Sequence, residues 1–249
     1  MELDNNVHTK PLSRDTIKYI AMVTMLLNHF SNVFLTPCTF LYELLLAVGY
    51  FTAPVMCYFL VEGYRMTRSR RKYGQRLLLF GFLSQIPYGM TFAVRGYWEF
   101  TGLNMIFSLF FCLLLIAAQT ELQGSRKRWA IVGIFVVSLF CDWSFLAPAF
   151  TLLFLWAGES LPLQRKAFGL AVLLFGINAF FVHMERHPLG PSLLYTGLGM
   201  MAVMLAGICI VYGYNGSRIR RGGVFSKWFF YLFYPIHLLV LGLLRIVLL

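Results

Sequence analysis

Two histidines stand in stretches that are otherwise almost wholly apolar: His29 in MLLNHFSN and His237 in FYLFYPIHLL. Histidine is the side chain whose ordinary pKa suits proton transfer near neutrality. An ionisable group inside an apolar run is costly enough to be a functional candidate by default. The plainer role is a neutral imidazole that hydrogen-bonds between helices and fixes their packing. Glu62 stands directly before the segment EGYRMTRSRRKYGQR. There Arg65, Arg68, Arg70, Arg71, Lys72 and Arg76 are interleaved with Tyr64 and Tyr73. Such a cluster binds anionic headgroups at about 1 kcal/mol per base, or grips a phosphorylated ligand through forked guanidinium contacts. The tyrosines could then stack on a base, and Glu62 is either a counter-ion for Arg65 or Arg68 or a carboxylate that orders the loop.

Weaker signals accompany these. Asp142, in CDWSF, sits at the boundary of an apolar run, where a helix cap is the ordinary role. Asn104, Ser84 and Gln85 are polar but uncharged. His183 and His187 flank Glu185 in HMERHP, a weak signal in a solvated loop, and no metal is expected. The five cysteines show no CxxC or ligand spacing and read as small buried hydrophobes.

The elements that must position these residues follow from composition. Apolar residues make up 59% of the 249 and charged residues 12%, against roughly 45–50% and about 25% in a soluble domain. That excludes a water-soluble globule, and the 25 phenylalanines exclude a disordered chain. What remains is an all-α polytopic transmembrane helix bundle, read as one domain over 1–249. A crossing needs about 20 mostly apolar residues. The candidate runs are 17–35, 42–61, 77–94, 103–118, 129–140, 144–157, 168–182, 193–212 and 225–248. That makes about nine spans (eight to ten), since the fifth and sixth are short and could form one broken hairpin. Basic residues alternate between successive loops, 18 on the side of the N-terminus against Arg95, Arg186 and Arg245 on the other. The N-terminus is therefore expected in the cytoplasm. The net charge of +11 is mostly this asymmetry, so no nucleic-acid partner is expected. The polar start and the absence of an AxA-type site predict no cleavable signal peptide.

Five segments in order resemble the TraX family, which is named for a conjugative-plasmid protein that N-acetylates pilin. They are IKYIAMVTMLLNHF; APVMCYFLVEGYRMTRSRRKYGQRLLLFGFLSQIPY; Asn104 with Phe107–Leu109; Asp142-Trp143; and YNGSRIRRGG followed by KWFFYLFYPIHLL. His29, Glu62, Thr67, Tyr73, Arg76, Ser84, Pro87, Asn104, Asp142, Asn215, Tyr234 and His237 occupy family motif positions. One departure is Asn28, where the family commonly has Asp.

The resemblance implies an integral-membrane acyltransferase, in the inner membrane of a bacterium, that takes acetyl-CoA as co-substrate and an amine acceptor such as a pilin-like N-terminus. On this expectation Arg65, Arg68, Arg70, Arg71, Lys72, Tyr73 and Arg76 hold the coenzyme. His29 is the general base, and His237 orients it or relays its proton. Asn104 and Ser84 donate to the oxyanion, while Asn28, Glu62, Asp142, Asn215 and Tyr234 orient the rest. Membrane lipid is the surrounding partner, and self-association is compatible with all of this. The rival expectations are a non-enzymatic component of a conjugation or secretion apparatus and a small-molecule transporter.

Overall fold

The computed structural model describes residues 10–217 and 223–248, apart from the side chains of 223–227. Arg218, Arg220, Arg221 and the side chain of Lys227, counted above among the loop bases, lie outside the described residues. The described residues are mostly helical: α1 (Arg14–Phe34), α2 (Phe40–Gly49), α3 (Thr52–Met66), α4 (Arg70–Thr91), α5 (Met105–Glu121), α6 (Gly124–Ser138), α7 (Leu146–Ala157), α8 (Leu161–Met184), α9 (Leu189–Ile208) and α10 (Gly223–Leu248). A π turn, Cys209–Gly213, continues α9. Among the described residues there is no strand, only isolated bridges joining Leu12 to Tyr214 and Leu103 to Cys141.

Local sequence sets the helix starts. Ser13, Thr39, Ser69 and Asn104 each accept a hydrogen bond from a backbone N–H in the first turn of α1, α2, α4 and α5, satisfying donors that the helix itself leaves free. The second apolar run is broken between α2 and α3 at Tyr50–Phe51. Pro54 explains the break: it has no N–H for the carbonyl of Tyr50, and its ring crowds that oxygen.

Polar contacts sort the helix ends into two layers. At one end Lys10 bonds the carbonyl of Val211, Arg14 pairs with Glu62, Arg65 donates to the carbonyl of Leu155, and Arg70 meets Glu121. At the other end Ser31 donates to the carbonyl of Tyr42, Glu43 meets His187, and Arg245 donates to the carbonyls of Met90 and Gly96. Successive rods therefore run up and down. Arg245 satisfies the carbonyl of Met90 in the last turn of α4, as bases at helix C-termini do. Small residues let rods close up: a methyl group on Gly176 would lie 2.6 Å from the sulfur of Met200, and one on Gly199 would lie 2.8 Å from Phe175, so α8 and α9 pack at close range.

Each expected apolar run contains helix, but length and hydropathy single out four rods able to cross a membrane: Phe40–Met66, Leu161–Met184, Leu189–Gly213 and Trp228–Leu248. Met105–Glu121 and Leu146–Ala157 are apolar but short, and the charged first turns of α1 and α4 lower their hydropathy. Helix α6 packs on α5, whereas α7 is seated among α3, α5 and α8.

The most irregular feature lies before α5. That helix begins midway along α4, where the Asn104 side chain donates to the carbonyl of Gly81 (2.8 Å) and to Gln85 (2.8 Å). The turn after α6 reaches the same level: Leu103 and Asp142 exchange backbone bonds with Phe140 and Leu103, and Ser108 donates to the carbonyl of Asp142. Asn104 is wholly buried, so non-helical backbone penetrates deep into the protein. Gly102, Leu103 and Asn104 each bond to other parts of the protein there, which is the condition for irregular backbone at such depth.

Candidate functional site

A cavity of about 480 Å³ runs along α1, α3, α4, α5 and α10. Its mouth is lined by Arg14, Asp15, Lys18, Arg68, Tyr73 and Arg76, its shaft by Met22, Met56, Phe59 and Leu60, and its deep end by Met25, Thr52, Met105 and Tyr234. One end is thus cationic and aromatic and the other apolar, with a few polar atoms at its tip.

The six bases of the sequence cluster are split by the fold. Arg68 and Arg76 face the cavity. Arg76 lies over the ring of Tyr73 at 5.7 Å and donates to the Tyr231 hydroxyl at 3.5 Å. Arg65 is turned toward the end of α7, and Arg70 is held by Glu121 at 2.6 Å and by the face of Tyr64 at 4.3 Å. Arg71 and Lys72 are exposed and do not line the cavity. In their place Arg14 and Lys18, from the start of α1, complete the mouth. Sequence reading passed over these two because the topology rule already accounted for them.

Glu62 pairs with neither Arg65 nor Arg68. It accepts from the Tyr214 hydroxyl at 2.6 Å and pairs with Arg14 at 3.4 Å, an ion pair with only 9% and 17% of the two side chains exposed. Arg14 also donates to the carbonyl of Phe59 at 3.2 Å. Glu62 thus positions a mouth guanidinium from α1. Asn215 lies in the loop after α9, where its side-chain Oδ1 accepts from the N–H and hydroxyl of Ser217, and its backbone N–H bonds the carbonyl of Leu12.

His29 and His237, 208 residues apart in the chain, are in direct contact. His29 Nδ1 lies 2.8 Å from His237 Nε2, and the rings stack with 9° between their planes. His237 Nδ1 lies 2.8 Å from the carbonyl oxygen of Phe233. A carbonyl oxygen only accepts, so Nδ1 of His237 carries the proton, and its Nε2 is the acceptor. His29 then donates from Nδ1, which leaves His29 Nε2 with a free lone pair. Among the described residues no group bonds that nitrogen. The pair lies one helical turn beyond the deep end of the cavity, since Met25 precedes His29 and Tyr234 precedes His237 on their helices. Phe92 and Tyr234 meet the His29 ring edge-on at 5.3 and 6.3 Å.

Tyr234 is fixed from the other side, where its hydroxyl accepts the first N–H of α5, from Met105, at 3.3 Å. Its own proton remains available at the cavity tip. Both N–H groups of Asn104 are engaged, by Gly81 and Gln85, while its oxygen caps Ile106. Ser84 is fully buried, and its hydroxyl has no partner among the described residues. Asn28 joins α1 to α2 by donating to the carbonyl of Leu46 at 2.9 Å and accepting from Asn32 at 3.1 Å. Asp142 accepts from the N–H of Trp143 at 2.9 Å in the turn behind α5.

The sequence model described as "TraX protein" matches residues 13–245. The chain is 33% identical over 239 residues to the probable fimbrial assembly protein FimC, serogroup H1, of Dichelobacter nodosus, an alignment that covers 90% of this chain and 92% of that one. No solved structure matches. With the matched span running from the cap of α1 into the last turns of α10, and so including the histidine pair and the basic mouth, the chain belongs to the TraX family.

Proposed function

We propose that this protein is a multi-pass acetyltransferase of a bacterial inner membrane. It crosses about nine times (eight to ten) with its N-terminus in the cytoplasm, and moves an acetyl group from acetyl-CoA to an amine acceptor such as a pilin-like N-terminus. The observation that carries the reading is the free lone pair on His29 Nε2, held in place by the His237–Phe233 chain one turn beyond a long cavity with a cationic mouth.

The parts fit the reaction. Arg14, Lys18, Arg68 and Arg76 offer guanidinium and ammonium groups suited to phosphates, and Tyr73 offers a ring for a base. The methionine-rich shaft suits a slender acyl-bearing arm. In transfer from a thioester to an amine, the carbon–nitrogen bond forms as the carbon–sulfur bond breaks. His29 Nε2 accepts the proton that the amine loses and returns one to the leaving sulfur. The Tyr234 hydroxyl, aligned by the N-terminus of α5, donates to the oxygen that gains charge. This role moves to Tyr234 because the donors of Asn104 are committed to the fold. Arg14 to His29 spans about 22 Å along α1 at 1.5 Å per residue, so a donor entering from the mouth and an acceptor approaching from the far side meet within the bundle.

A non-enzymatic role in fimbrial assembly is the second reading, and the printed name of the Dichelobacter nodosus relative favours it. Radiolabelled acetyl-CoA, offered to the detergent-solubilised full-length chain, separates the two. Binding together with turnover that disappears in His29→Gln supports the enzyme. Failure of the folded wild-type chain to bind at millimolar ligand would sink it in favour of an assembly component.

A further inference from the structure

We propose that Cys38, Glu43, His183 and His187 form a zinc-binding site at the end of the bundle opposite the basic mouth. The site goes beyond the acyl-transfer reading and does not depend on it.

Four side chains from two distant stretches converge there. Cys38 lies in the α1–α2 loop and Glu43 in the first turn of α2; His183 ends α8 and His187 lies in the turn before α9. Ligand atoms of Cys38, Glu43 and His187 all lie within 4.8 Å of one another. His187 Nε2 is 2.9 Å from one carboxylate oxygen of Glu43, and His183 Nδ1 is 3.9 Å from the other. Tetrahedral zinc, with bonds of about 2.0–2.3 Å, sets neighbouring ligand atoms about 3.3–3.8 Å apart. Cys38, Glu43 and His187 therefore need to close by about 1–1.5 Å, and His183, 3.9 Å from the second Glu43 oxygen, swings in as the fourth ligand. A set of one thiolate, two imidazoles and one carboxylate suits a borderline-soft divalent ion and disfavours calcium or magnesium, which prefer oxygen.

Burial gives an independent reason for a cation. The Glu43 side chain is 2% exposed and those of His183 and His187 are 7% exposed. A carboxylate that dry needs a positive partner, and its ion pairs among the described residues are with these two histidines alone. Arg186, in the same turn, makes no ion pair with it. Zinc with one carboxylate and one thiolate brings the local charge to zero. Coordination displaces the thiol proton of Cys38 and places the His187 proton on Nδ1 instead of Nε2. The Tyr195 ring, 4.9 Å from His187 and 5.9 Å from His183 by ring centroids, walls the histidines on one side and limits their rotation.

The test uses the full-length protein in detergent, stripped with EDTA and titrated with cobalt(II), then with zinc(II) as competitor. One equivalent of cobalt should bind and produce a thiolate-to-cobalt charge-transfer band that zinc abolishes. Cys38→Ser should remove the band, and His187→Ala should weaken binding by more than about tenfold, while Cys57→Ser, in the core, leaves both unchanged. If His187→Ala does not fold, Cys38→Ser alone decides, because Cys38 lies on the surface. Cobalt binding without the band, or zinc affinity unchanged in Cys38→Ser, would overturn the site and leave a histidine–carboxylate clamp.

Discussion

His237 keeps its Nδ1 proton on the carbonyl of Phe233 and presents its Nε2 lone pair to His29 at 2.8 Å. The two imidazoles therefore hold unequal roles. His237 is an acceptor that orients, and His29 has its basic nitrogen free.

That inequality predicts unequal mutants. His29→Gln removes the base and should lower turnover by about 10²–10⁴-fold with acetyl-CoA affinity unchanged. His237→Gln keeps an acceptor near the former Nε2 and should retain more activity than His237→Ala, which frees the His29 ring to rotate. Equal losses in the two His237 variants, measured by single-turnover acetylation, would contradict an orienting role.

The split of the basic cluster predicts which charges matter for the coenzyme. Arg76→Ala, Arg68→Ala and Lys18→Ala should each weaken acetyl-CoA binding by about tenfold, or about 1.4 kcal/mol. Arg71→Ala and Lys72→Ala should leave it unchanged. Equilibrium binding of labelled ligand reads this directly, and a uniform drop across all five would point to a diffuse electrostatic role.

The Arg14–Glu62–Tyr214 group predicts a stability effect. With 9% and 17% exposure the ion pair is nearly dry. Glu62→Ala should cost about 3–5 kcal/mol by leaving the guanidinium buried without its partner. The double variant Arg14→Met with Glu62→Gln should recover part of this, since glutamine still accepts from Tyr214. The exposed Arg70–Glu121 pair, screened by solvent, should contribute far less than the buried pair. Thermal melts of the solubilised chain, followed by circular dichroism, compare them.

Asn28 predicts the outcome of restoring the residue common in the family. Its amide donates to the carbonyl of Leu46 and packs against Gly49, where a methyl group would lie 2.2 Å from the Asn28 Cβ. Asn28→Asp replaces that donor with an acceptor facing an acceptor, so it should lower stability by about 1–3 kcal/mol. If Asn28→Asp instead raises turnover without loss of stability, position 28 serves the histidine pair and not the α1–α2 contact.

Much of the fold was legible because apolar length is a direct signal, and the nine runs all contain helix. The break at Tyr50–Phe51 was legible in principle from Pro54, yet the unbroken apolar character of the run hid it. The deep start of α5 was not legible: whether an asparagine caps a helix at the surface or in the interior depends on neighbours in α4 that hydropathy does not report. For the site, His29 and His237 stood out as ionisable groups in apolar runs, but their contact spans most of the chain and no local pattern encodes it. Arg14 and Lys18 read as topology markers, and Tyr234 read as an orienting residue until the first N–H of α5 was found on its hydroxyl. His183 and His187 were visible as a pair, while Glu43, the carboxylate that joins them, lay 144 residues from His187.

The rods also differ in height. Helix α8 has 24 residues and spans about 36 Å, while α6 has 15 and spans about 22 Å. Ser138 alone is buried in α6, so its sides face outward. A hydrocarbon core of about 30 Å matches neither length; if α6 crosses it, the acyl chains beside α6 must shorten or the whole molecule must lean toward that side. Either response costs fractions of a kcal/mol per ångström of mismatch. Lipid chain length thus becomes a variable acting on this protein from one flank. Helix α6 packs on α5, whose first N–H bonds the Tyr234 hydroxyl, so the short flank adjoins the element that sets the tip of the cavity.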